Sequence, residues 1–316
     1  MKKRNTTFCT SFYAEKTSIE IIANNLIIKE MPSDKSFDEI MVFMSNEKGS
    51  SYGKKYLKRT NSLYDKYILP KVSSGIYYLC IYRKSLEKEN EFWGYITGVD
   101  IPIVYESGMF YFPDSGVLEH NKQFLQSIIV DDASLRTYKK PSYAVQSYDA
   151  DIKNKANEIT RFSHNDYHKV LSIHNWVARS MYYDYDSLVG DAYKSMHISA
   201  TKTLSTGKSV CQGYTELSIA MLRAVGIPAI GVICYAIDSN TQGGWNNPIS
   251  LSETNHIFAM AYVDNRWIIM DSTWDSPNRY EKSKFIDICS NGIFTKHFDM
   301  TIEFASCTHR FSEVFV

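Results

Sequence analysis

Three residue types that together could attack an amide occur in order along the second half of the chain. Cys211 follows Gly-Lys-Ser-Val, His256 opens an apolar stretch, and Asp271 stands immediately before Ser-Thr-Trp. A thiol attacks a carbonyl once an imidazole has taken its proton, and a carboxylate can orient that imidazole. If the fold brings the three side chains together, the sequence predicts thiol-dependent acyl transfer through an acyl-enzyme.

Cys211 lies where a turn passes into a predicted helix, Cys211–Val225. The start of a helix exposes N–H groups and the positive end of its dipole, which favour a thiolate and could bind an oxyanion. Gly207 and Gly213 have no side chain that would keep a substrate backbone away. We therefore expect Gln212 and Gly213 to lie beside the substrate or the oxyanion.

His256 and Asp271 lie on two apolar stretches that flank Asp264-Asn265. That dipeptide suits a tight turn with positive φ, so the two stretches predict a β-hairpin. A two-residue loop would place His256 opposite Thr273, with Asp271 on the same face. The imidazole and the carboxylate would then be diagonal neighbours, roughly 7–8 Å apart at the backbone. One ring nitrogen could bind the carboxylate while the other faces the thiol.

Each of these residues also has an ordinary structural interpretation. A single cysteine at a helix start usually packs in the core, and an aspartate before Ser-Thr-Trp could simply form a turn. A nearby helical region carries His164, His168 and His174, for which we expect solvated or capping roles rather than a metal site. The joint placement of thiol, imidazole and carboxylate favours a catalytic site over three separate structural roles.

Composition argues against several classes of function. The chain has 35 Lys and Arg, 35 Asp and Glu, and a formal net charge of zero, so we expect no nucleic-acid partner. No apolar run reaches the roughly 18 residues that a membrane span needs, and the polar start does not resemble an export signal. None of the six cysteines forms a Cys-x-x-Cys pair. We expect no metal and no cofactor, and a cytoplasmic protein, or a secreted one if an export signal was removed.

The pattern of elements predicts two domains and an α+β fold overall. Residues 1–145 contain short segments rich in Ile, Val, Tyr and Phe between turn-forming residues, which predict a β-rich, sandwich-like domain or small barrel of unknown role. The predicted strands are Ser18–Ala23, Asn25–Lys29, Glu39–Met44, Gly75–Arg83, Phe92–Thr97 and Gly108–Phe112. The polar segment Asp131–Tyr148 predicts a linker. Residues 146–316 predict helices packed on an antiparallel sheet, with one helix capped at Ser163.

The segment Asp166–Asp275 resembles the transglutaminase-like superfamily, which is related to the papain-like cysteine peptidases. The matching words are Lys169–Val177, Tyr183-Asp184, Gly207–Tyr214, Met221–Ala229, Asn255-His256 and Arg266–Asp275. The resemblance implies that Cys211 is the nucleophile, that His256 is the acid and base, and that Asp271 orients the imidazole. It also implies that Tyr183 lies near the site. His-Ile-Phe stands at 256–258 where the family often has His-Ala-Trp.

The resemblance further implies an attack on an amide of a protein or peptide substrate. Water would resolve the acyl-enzyme in a peptidase or deamidase, whereas an amine would do so in a transglutaminase. The bacterial type of the resemblance favours hydrolysis slightly. Two other hypotheses remain open at this point. The second domain could be a catalytically idle protein-binding module, or the first domain could bind carbohydrate or peptide and target the second.

Overall fold

A computed structural model describes most of the chain, which forms two compact units. The described residues are 7–12, 15–29, 38–46, 50–61, 63–84, 92–95, 101–112, 116–189, 198–237, 254–287, 295, 297–306 and 308–316. The first unit comprises Met1–Gln123, Ala236–Glu253 and Met300–Arg310. The second unit comprises Phe124–Tyr235, Thr254–Asp299 and Phe311–Val316.

The first unit is built on one sheet that contains eleven strands among the described residues. These strands are β1 Thr7–Phe12, β2 Glu15–Ile22, β3 Asn25–Lys29, β4 Glu39–Asn46, β5 Ser51–Thr60, β6 Leu63–Tyr64, β7 Tyr67–Ile68, β8 Gly75–Lys84, β9 Phe92–Tyr95, β10 Ile101–Glu106 and β11 Met109–Tyr111. Their order is β1-β2-β3-β6-β5-β4-β8-β10-β11, with β7 paired to β3 and β9 to β8. The last two residues of the predicted strand Phe92–Thr97 lie outside the described part of the chain.

This sheet is nearly barrel-like, which agrees with the small barrel among the two predicted forms rather than with the sandwich. Strand β5 pairs with β4 on one side and with β6 on the other, so the ladder runs through without a break. Asn24, in the turn between β2 and β3, links that end of the sheet to the other. Its Nδ2 donates to the Gly108 carbonyl at 3.0 Å, and its Oδ1 accepts from the Phe110 N–H at 3.2 Å.

Helices and two smaller sheets make up the rest of the described chain. The helices are α1 Val117–Ser127, α2 Asp132–Thr137, α3 Ala150–Thr160, α4 Asp166–Ser180, α5 Tyr185–Val189, α6 Ala200–Thr206, α7 Cys211–Ala224 and α8 Ile302–Ala305. The remaining strands are β12 Tyr182–Asp184, β13 Lys208–Ser209, β14 Ala229–Ala236, β15 His256–Val263, β16 Arg266–Met270, β17 Arg279–Glu281, β18 Lys284–Ile286 and β19 His309–Phe315. They form sheets in the orders β13-β12-β17-β18 and β16-β15-β14-β19.

The core of the second unit surrounds α7, which is buried over most of its length. Strands β14 and β15 and helices α3 and α4 contribute apolar faces to it, as their periodicity predicts. Buried members include Ile152, Ala156, Val170, Ile173, Val177, Tyr214, Leu217, Met221, Ala259, Ile268 and Met270. An internal helix of this kind holds a rigid position, and α7 therefore fixes the place of whatever stands at its first residue.

Two predicted boundaries differ from the structure. The segment predicted as a linker contains α2 and is part of the second unit, in which the Tyr138 carbonyl accepts from the Ala229 N–H at 3.0 Å. Helix α4 is capped by Asn165, whose Oδ1 accepts from the His168 N–H at 2.9 Å, rather than by Ser163. Among the described residues, no helix is long and apolar enough to cross a membrane.

Candidate active site

Cys211 is the first residue of α7, and it is partly exposed. The residue before it, Val210, makes no side-chain capping hydrogen bond, whereas Ser, Thr, Asp and Asn usually cap this position. The Val210 carbonyl accepts from the N–H groups of Gly213 and Tyr214. Because the first N–H groups of a helix have no partner within it, those of Cys211 and Gln212 remain directed out of the helix start. The thiol therefore lies beside backbone donors and the positive end of the helix dipole.

Polar side chains hold the first two turns of α7 against the hairpin. Thr215 Oγ1 donates to the Ile257 carbonyl of β15 at 3.0 Å. The hydroxyl oxygens of Ser218 and Ser272 lie 3.3 Å apart, and Ser272 directly follows Asp271 in the chain. These contacts bring the helix start that carries the thiol to the strand and turn that carry the imidazole and the carboxylate.

His256 and Asp271 form a short, buried ion pair. The His256 Nε2 and the Asp271 Oδ2 are 2.6 Å apart, and their side chains are 7% and 0% exposed. The other carboxylate oxygen of Asp271 accepts the N–H groups of Thr273 and Trp274 at 2.9 and 3.1 Å. Backbone hydrogen bonds therefore fix the carboxylate while it holds one nitrogen of the imidazole.

The predicted hairpin turn is confirmed, but the strand pairing stops earlier than predicted. Val263 pairs with Arg266, and Asp264 and Asn265 have φ angles of +52° and +59°. Strand β16 ends at Met270, so the pair predicted between 256 and 273 is not part of the ladder. The chain turns over residues 271–275 instead. It is this turn that brings the Asp271 carboxylate to the imidazole.

Cys211 lies close enough to His256 to help raise the pKa of its imidazole. The Asp271 contact uses the Nε2 of that imidazole. Burial lowers the pKa of His256, but the charge and hydrogen bond of Asp271, and then the contact with Cys211, outweigh burial and raise the pKa to about 10. The site therefore favours a protonated imidazole between a carboxylate and the sulfur.

This order of helix, hairpin and turn agrees with a known family. Residues 153–272 match the model of the transglutaminase-like superfamily. The chain contains a transglutaminase-like domain. The match covers the helix that begins at Cys211, the strand that begins at His256, and Asp271.

Two curated relatives of the chain are named kyphoscoliosis peptidase. The Mus musculus protein is 24% identical over 165 residues, which are 52% of this chain and 24% of the relative. The Homo sapiens protein is 27% identical over 121 residues, which are 38% of this chain and 17% of the relative. The chain therefore spans a quarter or less of the length of these two relatives.

Two solved structures are also similar at low sequence identity. A Cytophaga hutchinsonii protein, provisionally named a cysteine protease, is 19% identical, with 85% of this chain and 74% of that chain covered and a TM-score of 0.35. Red sea bream transglutaminase is 11% identical, with 79% and 48% covered and a TM-score of 0.29. At these scores neither structure bears on the placement of the site residues.

Tyr183 lies on the strand beside the entry to α7. Strand β12 runs parallel to β13, with Tyr183 opposite Ser209, two residues before Cys211 in the transglutaminase-like domain. The Tyr183 ring lies 5.0 Å from that of Tyr185 and 6.4 Å from that of Tyr214, measured between centroids. Its backbone therefore borders the segment that leads to the thiol, and its ring joins an aromatic cluster.

Gln212 and Gly213 have different environments at the helix start. Gln212 is exposed, and its Nε2 donates to the Glu216 Oε1 at 2.8 Å. Gly213 is buried, and a Cβ there would lie 2.1 Å from the Ser209 Oγ and 2.4 Å from the Thr203 Oγ1. The absence of a side chain at Gly213 therefore leaves space for the side chains of Ser209 and Thr203. The prediction was that this space would admit a substrate backbone.

A second buried cluster lies next to this site, and the sequence did not predict it. The Asp275 Oδ2 is 2.9 Å from the His174 Nε2, and its Oδ1 is 3.0 Å from the His297 Nδ1. Both carboxylate oxygens are thus already bonded to imidazoles, which describes a hydrogen-bonded cluster rather than a metal centre. His174 is fully buried, against the predicted solvated role. The sequence feature that could have indicated this cluster is Asp275, the acid directly after Ser-Thr-Trp.

The other two histidines of that helical region agree with the prediction. His164 and His168 are exposed. The His168 Nδ1 lies 2.7 Å from the Oδ1 of Asn165, the residue that caps α4. The exposed His168 ring therefore contacts the residue that caps the helix.

Proposed function

We propose that this protein is a cysteine-dependent enzyme that acts on amide bonds through a Cys211–His256–Asp271 triad. The observation that carries the proposal is the geometry of one imidazole. His256 holds Asp271 at 2.6 Å through Nε2, and Cys211 lies close enough to help raise the pKa of the same imidazole. Nucleophilic catalysis by cysteine needs this arrangement of thiol, base and orienting group.

In the first step, the Cys211 sulfur attacks the carbonyl carbon, and a C–S bond forms. The carbonyl oxygen becomes an oxyanion that the N–H groups of Cys211 and Gln212 stabilise, since the helix start leaves them directed outward. The His256 imidazolium then donates its proton to the amide nitrogen as the C–N bond breaks. The products are a thioester on Cys211 and a free amine, with His256 left neutral.

In the second step, neutral His256 takes a proton from a water molecule while the water oxygen attacks the thioester carbonyl. The C–S bond breaks, a carboxylic acid leaves, and the thiolate–imidazolium pair returns. Asp271 keeps its charge throughout and stabilises the imidazolium each time it forms. An amine in place of water would give a new amide, so the same residues support hydrolysis and transamidation.

We expect a protein or peptide as the substrate and hydrolysis as the main outcome. The two curated relatives are named peptidases, which supports this choice over transamidation. An idle binding module is the less favoured alternative, because a domain that only binds has no need of a thiol and an imidazole in contact. The cytoplasmic location stays a prediction that depends on the cysteine pattern.

Incubation of the full chain with casein and with a glutamine-containing peptide tests the proposal. The reactions are run with and without a primary amine and analysed by mass spectrometry, and the variant Cys211→Ala serves as the control. We expect cleaved peptide bonds or deamidated glutamine in water, and an amine adduct if transamidation dominates. Turnover that survives in a folded Cys211→Ala variant would exclude Cys211 as the nucleophile.

A further inference from the structure

His297 bridges the two ends of the turn that carries Asp271. Its carbonyl accepts the Asp271 N–H at 2.8 Å. Its own N–H donates to both carboxylate oxygens of Asp275 at 3.2 and 3.0 Å, and its Nδ1 lies 3.0 Å from one of them. The first and the last residue of the turn are therefore tied to a single residue from a distant part of the chain.

His174 secures the same turn from the helix α4. Its Nε2 lies 2.9 Å from the Asp275 Oδ2, and the side chains are 0% and 2% exposed. Burial raises the pKa of Asp275, but the charge of His297 and hydrogen bonds from both histidines outweigh burial and lower the pKa to about 2. Asp275 is therefore a carboxylate that accepts from two imidazoles on opposite sides.

Trp274 connects this cluster to the imidazole of the proposed triad. Its ring centroid lies 5.7 Å from that of His256 and 5.3 Å from that of His297, so it sits between them. Its N–H donates to the Oδ1 of Asp271 at 3.1 Å. A shift of the turn would thus move two groups that lie against His256, the Asp271 carboxylate and the Trp274 ring.

Stability alone does not explain a buried cluster of this kind. Replacing buried ionic groups with well-packed apolar side chains is often neutral or stabilising. Directional hydrogen bonds, by contrast, fix positions that apolar packing leaves adjustable, and catalysis depends on such fixed positions. A buried hydrogen-bonded cluster is therefore useful where it must fix the orientation of a neighbouring group, here the turn that carries Asp271.

We propose that His174, Asp275 and His297 are positioning residues that clamp the turn over 271–275, so that Asp271 and Trp274 hold the imidazole of His256 in line with the Cys211 sulfur. This inference rests on the proposed function of Cys211 and His256. It assigns no chemical step to the clamp, whose members reach the reacting atoms only through the turn.

The test compares matched variants at the two histidines. His174→Phe and His297→Phe keep a ring but remove the hydrogen bond from each imidazole to Asp275, while the backbone bonds of residue 297 remain. His174→Gln and His297→Asn restore a donor near Nε2 and near Nδ1, respectively. The readout is the rate at which iodoacetamide labels Cys211 from pH 5 to 10, with circular dichroism to verify folding. This measurement needs no knowledge of the substrate.

We expect both Phe variants to label Cys211 about tenfold more slowly near pH 6 and to shift the pH profile, since a hydrogen bond to a charged group is lost. The Gln and Asn variants should remain within about twofold of the native rate. Folded Phe variants with the native profile would overturn the inference. If a Phe variant does not fold, Trp274→Leu replaces it, and a native profile in that variant counts against the clamp equally.

The two proposals fail in different ways. If the native protein labels Cys211 no faster than its buried cysteines, the proposed function fails, and the clamp has nothing to position. If native Cys211 labels selectively and the folded Phe variants do so at the same rate, the proposed function stands and the clamp fails.

Discussion

The carboxylate of Asp271 reaches the imidazole of His256 at 2.6 Å although the two residues are not partners in the hairpin ladder. Strand β16 ends one residue before Asp271, and β15 begins at His256. The contact therefore depends on the turn after the strand, where Thr273 and Trp274 donate backbone N–H groups to the same carboxylate.

The first prediction concerns the charge of Asp271. Asp271→Asn removes the negative charge that keeps His256 protonated and leaves only a neutral acceptor, so the pKa of His256 should fall from about 10 towards or below its ordinary value. Turnover should fall by roughly 10²- to 10⁴-fold, the usual contribution of general acid–base catalysis. NMR titration of the His256 ring and steady-state kinetics measure the two effects. An unchanged ring titration would contradict the proposed pair.

The sign of the linked stability follows from the same pKa. Because the folded pKa of His256 is raised above its ordinary value of 6.5, its stabilisation is fully present below pH 6.5 and is lost as the pH rises through about 10. Asp271→Asn should remove this pH-dependent loss in the free energy of unfolding. Urea unfolding between pH 6 and 10 compares the two proteins, and equal slopes of stability against pH would count against the assignment.

The second prediction concerns selective modification. Iodoacetamide should label Cys211 near pH 6 much faster than Cys80 and Cys234, which are buried free cysteines. Cys211 is partly exposed at the start of α7, whereas the other two are buried. Site-resolved mass spectrometry measures each rate, and the control His256→Ala should slow the labelling of Cys211 and leave that of Cys80 and Cys234 unchanged. Uniform labelling would favour an idle binding module.

The third prediction concerns packing under the helix start. Gly213→Ala would force a Cβ against the Ser209 Oγ and the Thr203 Oγ1, so we expect a loss of about 1–3 kcal/mol in the free energy of unfolding. Gly207→Ala is a useful comparison, because nothing lies within 4 Å of its Cβ position and only its φ of +70° opposes a side chain. That strain costs about 1–2 kcal/mol.

Ser209→Gly tests whether a clash with Ser209, rather than backbone strain, causes the stability loss in Gly213→Ala. It removes the nearest obstructing atoms, so it should recover part of the stability lost in Gly213→Ala and none of that lost in Gly207→Ala. Chemical denaturation of the single and double variants measures this coupling. Equal effects on both backgrounds would show that the clash with Ser209 is not the cause.

Local patterns sufficed to predict the three residues of the proposed triad. An apolar stripe with a terminal glycine marks α7, and Asp264-Asn265 adopts the positive φ angles that its composition predicts. These signals act over a few residues, because helix periodicity and turn chemistry are local. The position of the thiol follows from them once the helix and the hairpin pack on each other.

Long-range contacts explain what the sequence did not predict. His297 has no recognisable local pattern, and its role depends on packing against a turn some twenty residues away in the chain. Strand β5 carries mostly exposed side chains, so it lacks the apolar alternation that marks a strand. The continuous sheet of the first unit depends on that strand, and it favours the small barrel over the sandwich among the two predicted forms.

The last prediction concerns Glu216, a buried acid one turn beyond Gln212 on α7. Its Oε1 accepts from the Gln212 Nε2 at 2.8 Å, and its Oε2 has no hydrogen-bond partner among the described residues. Burial raises the pKa of Glu216 to about 8, and the hydrogen bond from Gln212 only partly opposes that shift. Because the folded pKa is raised, the stabilisation is present below about pH 4.5 and is lost as the pH rises through about 8.

Glu216→Gln keeps the shape of the side chain and cannot ionise, so it should escape this loss. We expect the variant to gain stability relative to the native protein between pH 6 and 9, measured as the difference in urea midpoints at each pH. Glu158→Gln, at an exposed position of α3, is the matched control and should show no such trend. Parallel curves for Glu216→Gln and the native protein would mean that burial does not raise the pKa of Glu216 in the folded protein.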